Sequence, residues 1–129
     1  MSFMSRKNYA DEQRESNVAI ASPVELVALS YERLLELLRQ GEERMREGGD
    51  AAEPLGKALQ LITDGLQSCL NPDQGGEIAG NLNVLYNWAC AEILRARLRS
   101  DPQLLLSVRQ VLTPVAEAWR IQAAAQPTS

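Results

Sequence analysis

The stretch Ser22-Pro23-Val24-Glu25-Leu26-Val27-Ala28-Leu29-Ser30-Tyr31-Glu32-Arg33-Leu34-Leu35-Glu36-Leu37-Leu38 reads as the opening of an amphipathic helix. The serine hydroxyl supplies an N-cap, and the proline occupies the first helical position, where no amide donor is needed. The carboxylate three residues after the serine completes a capping box. Val27, Tyr31, Leu34, Leu38 and, two spacings on, Met45 keep the alternating four-and-three step of a bundle seam. Gly48-Gly49 closes the helix. A helix with one apolar stripe must bury it against others of its kind, and the remaining chain supplies three.

Asp50-Ala51-Ala52-Glu53 repeats the cap logic, with Pro54 early in the next turn. Leu55, Leu59, Ile62, Leu66 and Cys69 then carry the same step through a second helix that Asn71-Pro72 stops. Gly56 and Gly65 inside it each cost about 1 kcal/mol of helix propensity relative to alanine. Close helix contact and simple tolerance within a packed bundle both account for them. After the Asp73-Gln74-Gly75-Gly76 turn, a third helix places Ile78, Leu82, Leu85, Ala89, Ile93 and Ala96 on one stripe. Val84, Trp88, Ala91 and Leu98 lie beside it, an apolar arc wider than one neighbour covers. Asp101-Pro102 caps a fourth helix with Leu105, Val108, Leu112, Val115 and Trp119 on its seam. Pro114 removes a donor from its middle and predicts a kink over Gln110 to Pro114. The organisation predicted is a flexible arm over residues 1–21, or a short helix within it around Tyr9 to Glu15, an antiparallel up-and-down four-helix bundle over 22–125, and a disordered tail over 126–129.

Composition agrees with an all-α chain of one domain. Leu and Ala outnumber Val and Ile by 35 to 12 among 129 residues, a mixture that suits helices better than sheets. Histidine is absent, which excludes Ser-His-Asp and Cys-His catalysis, histidine phosphotransfer and the Glu-x-x-His ligands of di-iron bundles. Cys69 and Cys90 are the sole thiols and have no second pair at zinc-ligand spacing. Their apolar helical setting favours free cysteines in a reducing cytosol, although spacing alone leaves a disulfide open. No signal-peptide core and no uninterrupted apolar run of membrane length is present, so a cytoplasmic chain without membrane insertion is expected.

Chemistry finds little purchase. Gly75-Gly76 lacks the Lys and Ser or Thr of a phosphate loop. Glu32, Glu36, Glu42, Glu43 and Glu47 alternate with Arg33, Arg39, Arg44 and Arg46, the pattern of a solvated, salt-bridged face. Arg95, Arg97 and Arg99 point about 200° apart in succession and suit a helix carboxyl end better than a nucleic-acid surface. A net charge of −4, from 17 acidic and 13 basic residues, also disfavours nucleic acid. More telling is the excess of apolar surface. Leu104-Leu105-Leu106 and Leu34, Leu35, Leu37, Leu38 cover broad arcs. The bundle core, a homodimer, or a groove for a partner would each consume it.

Three segments bring a known family into view: Val18-Ala-Ile-Ala-Ser-Pro-Val-Glu-Leu-Val27 with Leu29-Ser-Tyr31, then Gly75-Gly-Glu-Ile-Ala-Gly-Asn-Leu-Asn-Val-Leu-Tyr-Asn-Trp88, and finally Ala118-Trp119. In order and separation they resemble the FliS family of flagellin export chaperones over about residues 9 to 121. The resemblance implies a noncatalytic cytosolic bundle without metal, nucleotide or other cofactor. Such a bundle binds the carboxyl-terminal segment of flagellin, prevents premature polymerisation and keeps the subunit competent for flagellar type III secretion. The export gate or regulatory flagellar proteins are further candidate partners. It also implies an amino-terminal tyrosine segment, matched by Tyr9 and Val18, that lies over part of the client surface. Asn81 and Tyr86 match the central motif. Ser30-Tyr31-Glu32-Arg33 departs from the family's Leu-Tyr-Asp-Gly by replacing glycine with arginine, and Trp88 stands where another aromatic is common. The candidate client contacts are Tyr9 on the arm, Leu26, Leu29 and Tyr31 on the first helix, and Leu82, Tyr86 and Trp88 on the third. A regulatory adaptor for another flagellar protein and a self-associating bundle are the alternative readings.

Overall fold

The computed structural model describes residues 22–70 and 72–125, without the side chains of 72–74. Tyr9, Val18, the 1–21 arm, Asn71 and the 126–129 tail lie outside these residues. The described chain is helical throughout, in the order α1 (Pro23–Arg46), α2 (Ala52–Gln60), a π-helical segment (Leu61–Leu66), a 3-10 turn (Gln67–Cys69), α3 (Pro72–Arg99) and α4 (Pro102–Ala125). It contains no strand. Each helix packs on the next in the chain, and α4 returns to pack most extensively on α1, the closed ring of an up-and-down four-helix bundle.

The helix ends obey local chemistry. Ser22 Oγ accepts from the Glu25 amide at 3.2 Å while Glu25 Oε1 accepts from the Ser22 amide at 2.7 Å, so the expected capping box forms. At the other end of α1, Gly48 takes a φ of 79°. The Gly48 and Gly49 amides then reach back to the Met45 and Arg44 carbonyls, the paired bonds of a Schellman motif. The end of α3 repeats this device with Ser100 at a φ of 51°, its amide and that of Asp101 donating to the Arg97 and Ala96 carbonyls. Asp50 and Asp101 each accept an amide two residues on, at 2.9 and 3.0 Å. Gly76, with φ 55° and ψ −127°, breaks the helical track of α3 where the sequence placed a turn.

The seams meet in one core. Tyr31, Leu34 and Leu38 of α1, Leu55, Ile62 and Leu66 of the second helix, Ala89, Ile93 and Ala96 of α3, and Leu105, Val108 and Leu112 of α4 are buried together. The expected stripes run out toward the ends: Cys69 and Ile78 are exposed, while Val115 and Trp119 are half-buried.

Three local features differ from the sequence reading. The second helix is not one regular α-helix. At Leu61–Leu66 it widens to a π turn, in which the Gln67 amide bonds the Ile62 carbonyl, before tightening to the 3-10 turn. Glycine's low helix propensity at Gly65 and the side-chain hydroxyls that bond nearby carbonyls, Thr63 to Leu59 and Ser68 to Asp64, loosen the ladder there. The close helix approach falls at Gly41 instead of Gly56 or Gly65. A Cβ there would meet Leu55 Cδ2 at 2.7 Å and Leu105 Cδ1 at 3.2 Å, whereas Gly56 has open space. Glu42 leaves the solvated face. It is 1% exposed, bridged by Arg109 of α4 through both nitrogens of its fork and by Arg46 at 3.4 Å. Elsewhere on that face the charges pair in solvent as expected, Glu36 with Arg39 and Arg39 with Glu43. The α4 helix continues across Pro114, which faces solvent.

Candidate functional site

Where α1 begins, the second helix is ending and α4 is nearing its last turns, so the four-sided packing runs short of a wall. A groove of about 750 Å³ results. Pro23, Val24, Leu26, Val27 and Ser30 of α1 form one side, Gly65, Leu66 and Cys69 the other, and Trp119 of α4 closes the end. The capping box fixes the first turn of α1, which holds Val24 and Leu26 in place. The π turn offers a glycine instead of a side chain at Gly65, so the far wall stays low. Carbon dominates the lining: Ser30 spends its hydroxyl on the Leu26 carbonyl at 2.8 Å, and a lone thiol, Cys69, remains.

Beneath this groove the Tyr31 and Tyr86 hydroxyls meet at 2.6 Å, joining α1 to α3 across the interior. Their rings stand 6.3 Å apart and tilted by 47°. Burial pushes both phenols above the usual tyrosine range. For Tyr31 the Tyr86 hydroxyl adds to the rise, and the indole of Trp119 acts weakly in the opposite direction. Trp119 closes the end of the groove. Cys90 is half-buried and its thiol is likewise pushed up by burial. Cys69 and Cys90 are both free thiols.

The sequence-derived candidates separate into three groups. Tyr31 and Tyr86 are core residues and meet one another. Leu26 and Leu29 are each 54% exposed, Leu26 on the groove itself. Leu82 and Trp88 are half-buried against the core. A second apolar surface lies on the outside of α3, where Val84, Ala91, Leu94 and Leu98 are exposed, Leu98 by 87%. Gln67 ties the end of the second helix to this helix through Asn83 and Asn87 at 3.0 and 2.8 Å.

Sequence reasoning passed over Val24, Leu66, Cys69 and Trp119 as groove residues. All four were read as seam positions or as part of the family's marker segments. A seam residue past the end of its neighbour lines an opening, and that is visible only once helix lengths are known. Among the described residues no cluster of three or more potential metal ligands occurs, and no helix is long and apolar enough to cross a membrane.

Comparison with known proteins adds an independent finding. The family model described as flagellar protein FliS matches residues 5–127. The chain is 36% identical over 116 residues to the flagellar secretion chaperone FliS of Salmonella typhimurium, covering 88% of this chain and 86% of the relative. Similarity to the protein of the same name from Vibrio cholerae is 36% over 107 residues, covering 81% and 78%. To the flagellar secretion chaperone FliSB of Pseudomonas aeruginosa it is 34% over 118 residues, covering 88% and 90%.

Proposed function

The chain belongs to the FliS family of flagellar proteins, and from that premise we propose that it is a cytoplasmic secretion chaperone whose client is the carboxyl-terminal segment of flagellin. The observation that carries this reading is the apolar groove at the start of α1, open to solvent with Leu26 half exposed on its rim. An exposed leucine stabilises a complex by roughly 1.5 to 3 kcal/mol when buried. A few such anchors offset the several kcal/mol needed to order a flexible partner. The mode is helix in groove: the client's apolar face trades self-association for contact with the bundle, and no bond is made or broken. Neither cofactor nor catalytic group has a part in it.

Pro23 and Val24 line the groove and follow residues 1–21 directly in sequence. This supports an arm bearing Tyr9 that covers the groove until a client replaces it. Deleting residues 1–17 should then raise client affinity and alter protease sensitivity; unchanged values for both would count against the cover.

Pull-down of intact flagellin and of flagellin lacking its carboxyl tail tests the central reading. Capture that depends on the tail is expected. Equal capture of both would favour an adaptor for another flagellar surface.

A further inference from the structure

The furrow between α1 and the second helix continues past Gly65. On the far side of that glycine lies a smaller cleft of about 380 Å³, bordered by Arg33 and Leu37 of α1 and by Lys57, Leu61 and Asp64 of the second helix. Gly65 borders both hollows. Along α1, Leu26, Ser30, Arg33 and Leu37 follow steps of four, three and four, so the two hollows share one side of the helix over roughly 16 Å.

Their charges differ. The apolar groove holds no charged side chain, whereas the cleft holds two cations and one carboxylate. Lys57 is shared with Glu53 at 3.5 Å, and Glu53 in turn faces Arg44. Arg33 forms no ion pair with any described residue. Glu36, one turn along, is held bidentately by Arg39, and Asp64 lies beyond ion-pair reach of Arg33. An exposed guanidinium with unengaged donors thus borders a cleft that Leu37 and Leu61 make partly apolar, in a chain whose net charge is −4.

We propose that this cleft reads a carboxylate: Arg33, with Lys57 on the facing helix, takes an Asp or Glu side chain of the client segment as that segment leaves the apolar groove. The proposal rests on the client-binding reading above and adds its chemistry, a run of apolar anchors followed within one groove length by an acid. Arg suits the task because its planar fork matches a carboxylate bidentately, while Lys57 contributes a point charge. Asp64 on the opposite border sets a limit. A single carboxylate is welcome, and a dense acidic run is repelled.

Titration of the intact chain with a fluorescent carboxyl-terminal flagellin segment tests this at low and high salt. A second segment carries Asn and Gln in place of every Asp and Glu. Arg33→Gln should weaken binding of the native segment about threefold to tenfold, Arg33→Glu more, and high salt should shrink the difference. Both variants should bind the amide segment as the wild type does. Equal binding of the native segment by all three proteins would overturn the proposal, as would an Arg33→Gln loss of the same size with the amide segment. If the wild type binds neither segment, the chaperone reading falls and the subsite with it.

Discussion

Two phenol hydroxyls buried in an apolar interior are tolerable because each has the other. The Tyr31–Tyr86 bond at 2.6 Å is therefore a unit, and its removal should be strongly non-additive. Tyr31→Phe or Tyr86→Phe alone strands one buried hydroxyl and should cost about 1–3 kcal/mol. The double variant should cost less than the sum of the two, a coupling that urea denaturation of the four proteins would measure. Additive losses would mean that the hydroxyls are not partners. The same logic governs Glu42, where the buried group is charged. Arg109→Ala leaves its carboxylate with only the longer Arg46 contact and should cost about 3 kcal/mol. Glu42→Met with Arg109→Leu should be close to neutral, because replacing both members removes the desolvation penalty along with the attraction. Neither partnership was legible in the sequence: tyrosines 55 positions apart have no local signal, and Glu42 stands in the same charged run as the exposed Glu43. Only the approach of α4, carrying Arg109, distinguishes them.

At the scale of the helix, boundaries were legible and interiors were less so. Ser22, Gly48, Asp101 and the Gly75-Gly76 turn act through atoms within a few residues, so their signals survive translation into sequence. The Gly41 approach depends on two other helices, and the π turn depends on how the second helix settles against them. That dependence gives Gly41 a clear expectation. An added methyl gains about 1 kcal/mol of helix propensity, yet it lands 2.7 Å from a Leu55 methyl and 3.2 Å from a Leu105 methyl. Overpacking of this kind costs about 1–3 kcal/mol, so Gly41→Ala should lower the thermal midpoint. At the Ser100 turn the sign reverses. A serine at positive φ is held against its preference, and no neighbour compels it, so Ser100→Gly should raise stability by about 0.5 kcal/mol in the same melts. The groove illustrates the same division. Its start was readable from the capping box, but its existence came from the second helix and α4 ending where α1 begins.

Among the described residues, the groove at the start of α1 and the outer stripe of α3 are both apolar surface that the bundle core does not reach. One long flexible client that wraps the bundle would cover both, whereas a homodimer would cover the stripe and leave the groove available. Under the client-binding reading the first arrangement is expected, and the two surfaces contribute separately to one affinity. Val84 and Leu98 gain little from the folded monomer, being 68% and 87% exposed, and Leu94 is 49% exposed. Leu98→Ser should therefore leave the melting temperature within about two degrees, since surface changes rarely exceed about 0.5 kcal/mol. Its effect should fall on binding: the loss of one buried leucine, worth roughly 1.5 to 3 kcal/mol, weakens flagellin affinity by about tenfold or more. Leu26→Ser at the groove should do the same, and the double variant should multiply the two losses, because residues so far apart share no contact. Titration together with sedimentation decides the matter. Should Leu98→Ser instead convert a dimer to a monomer while flagellin affinity holds, the stripe serves a second copy of the chain, and the client is confined to the groove.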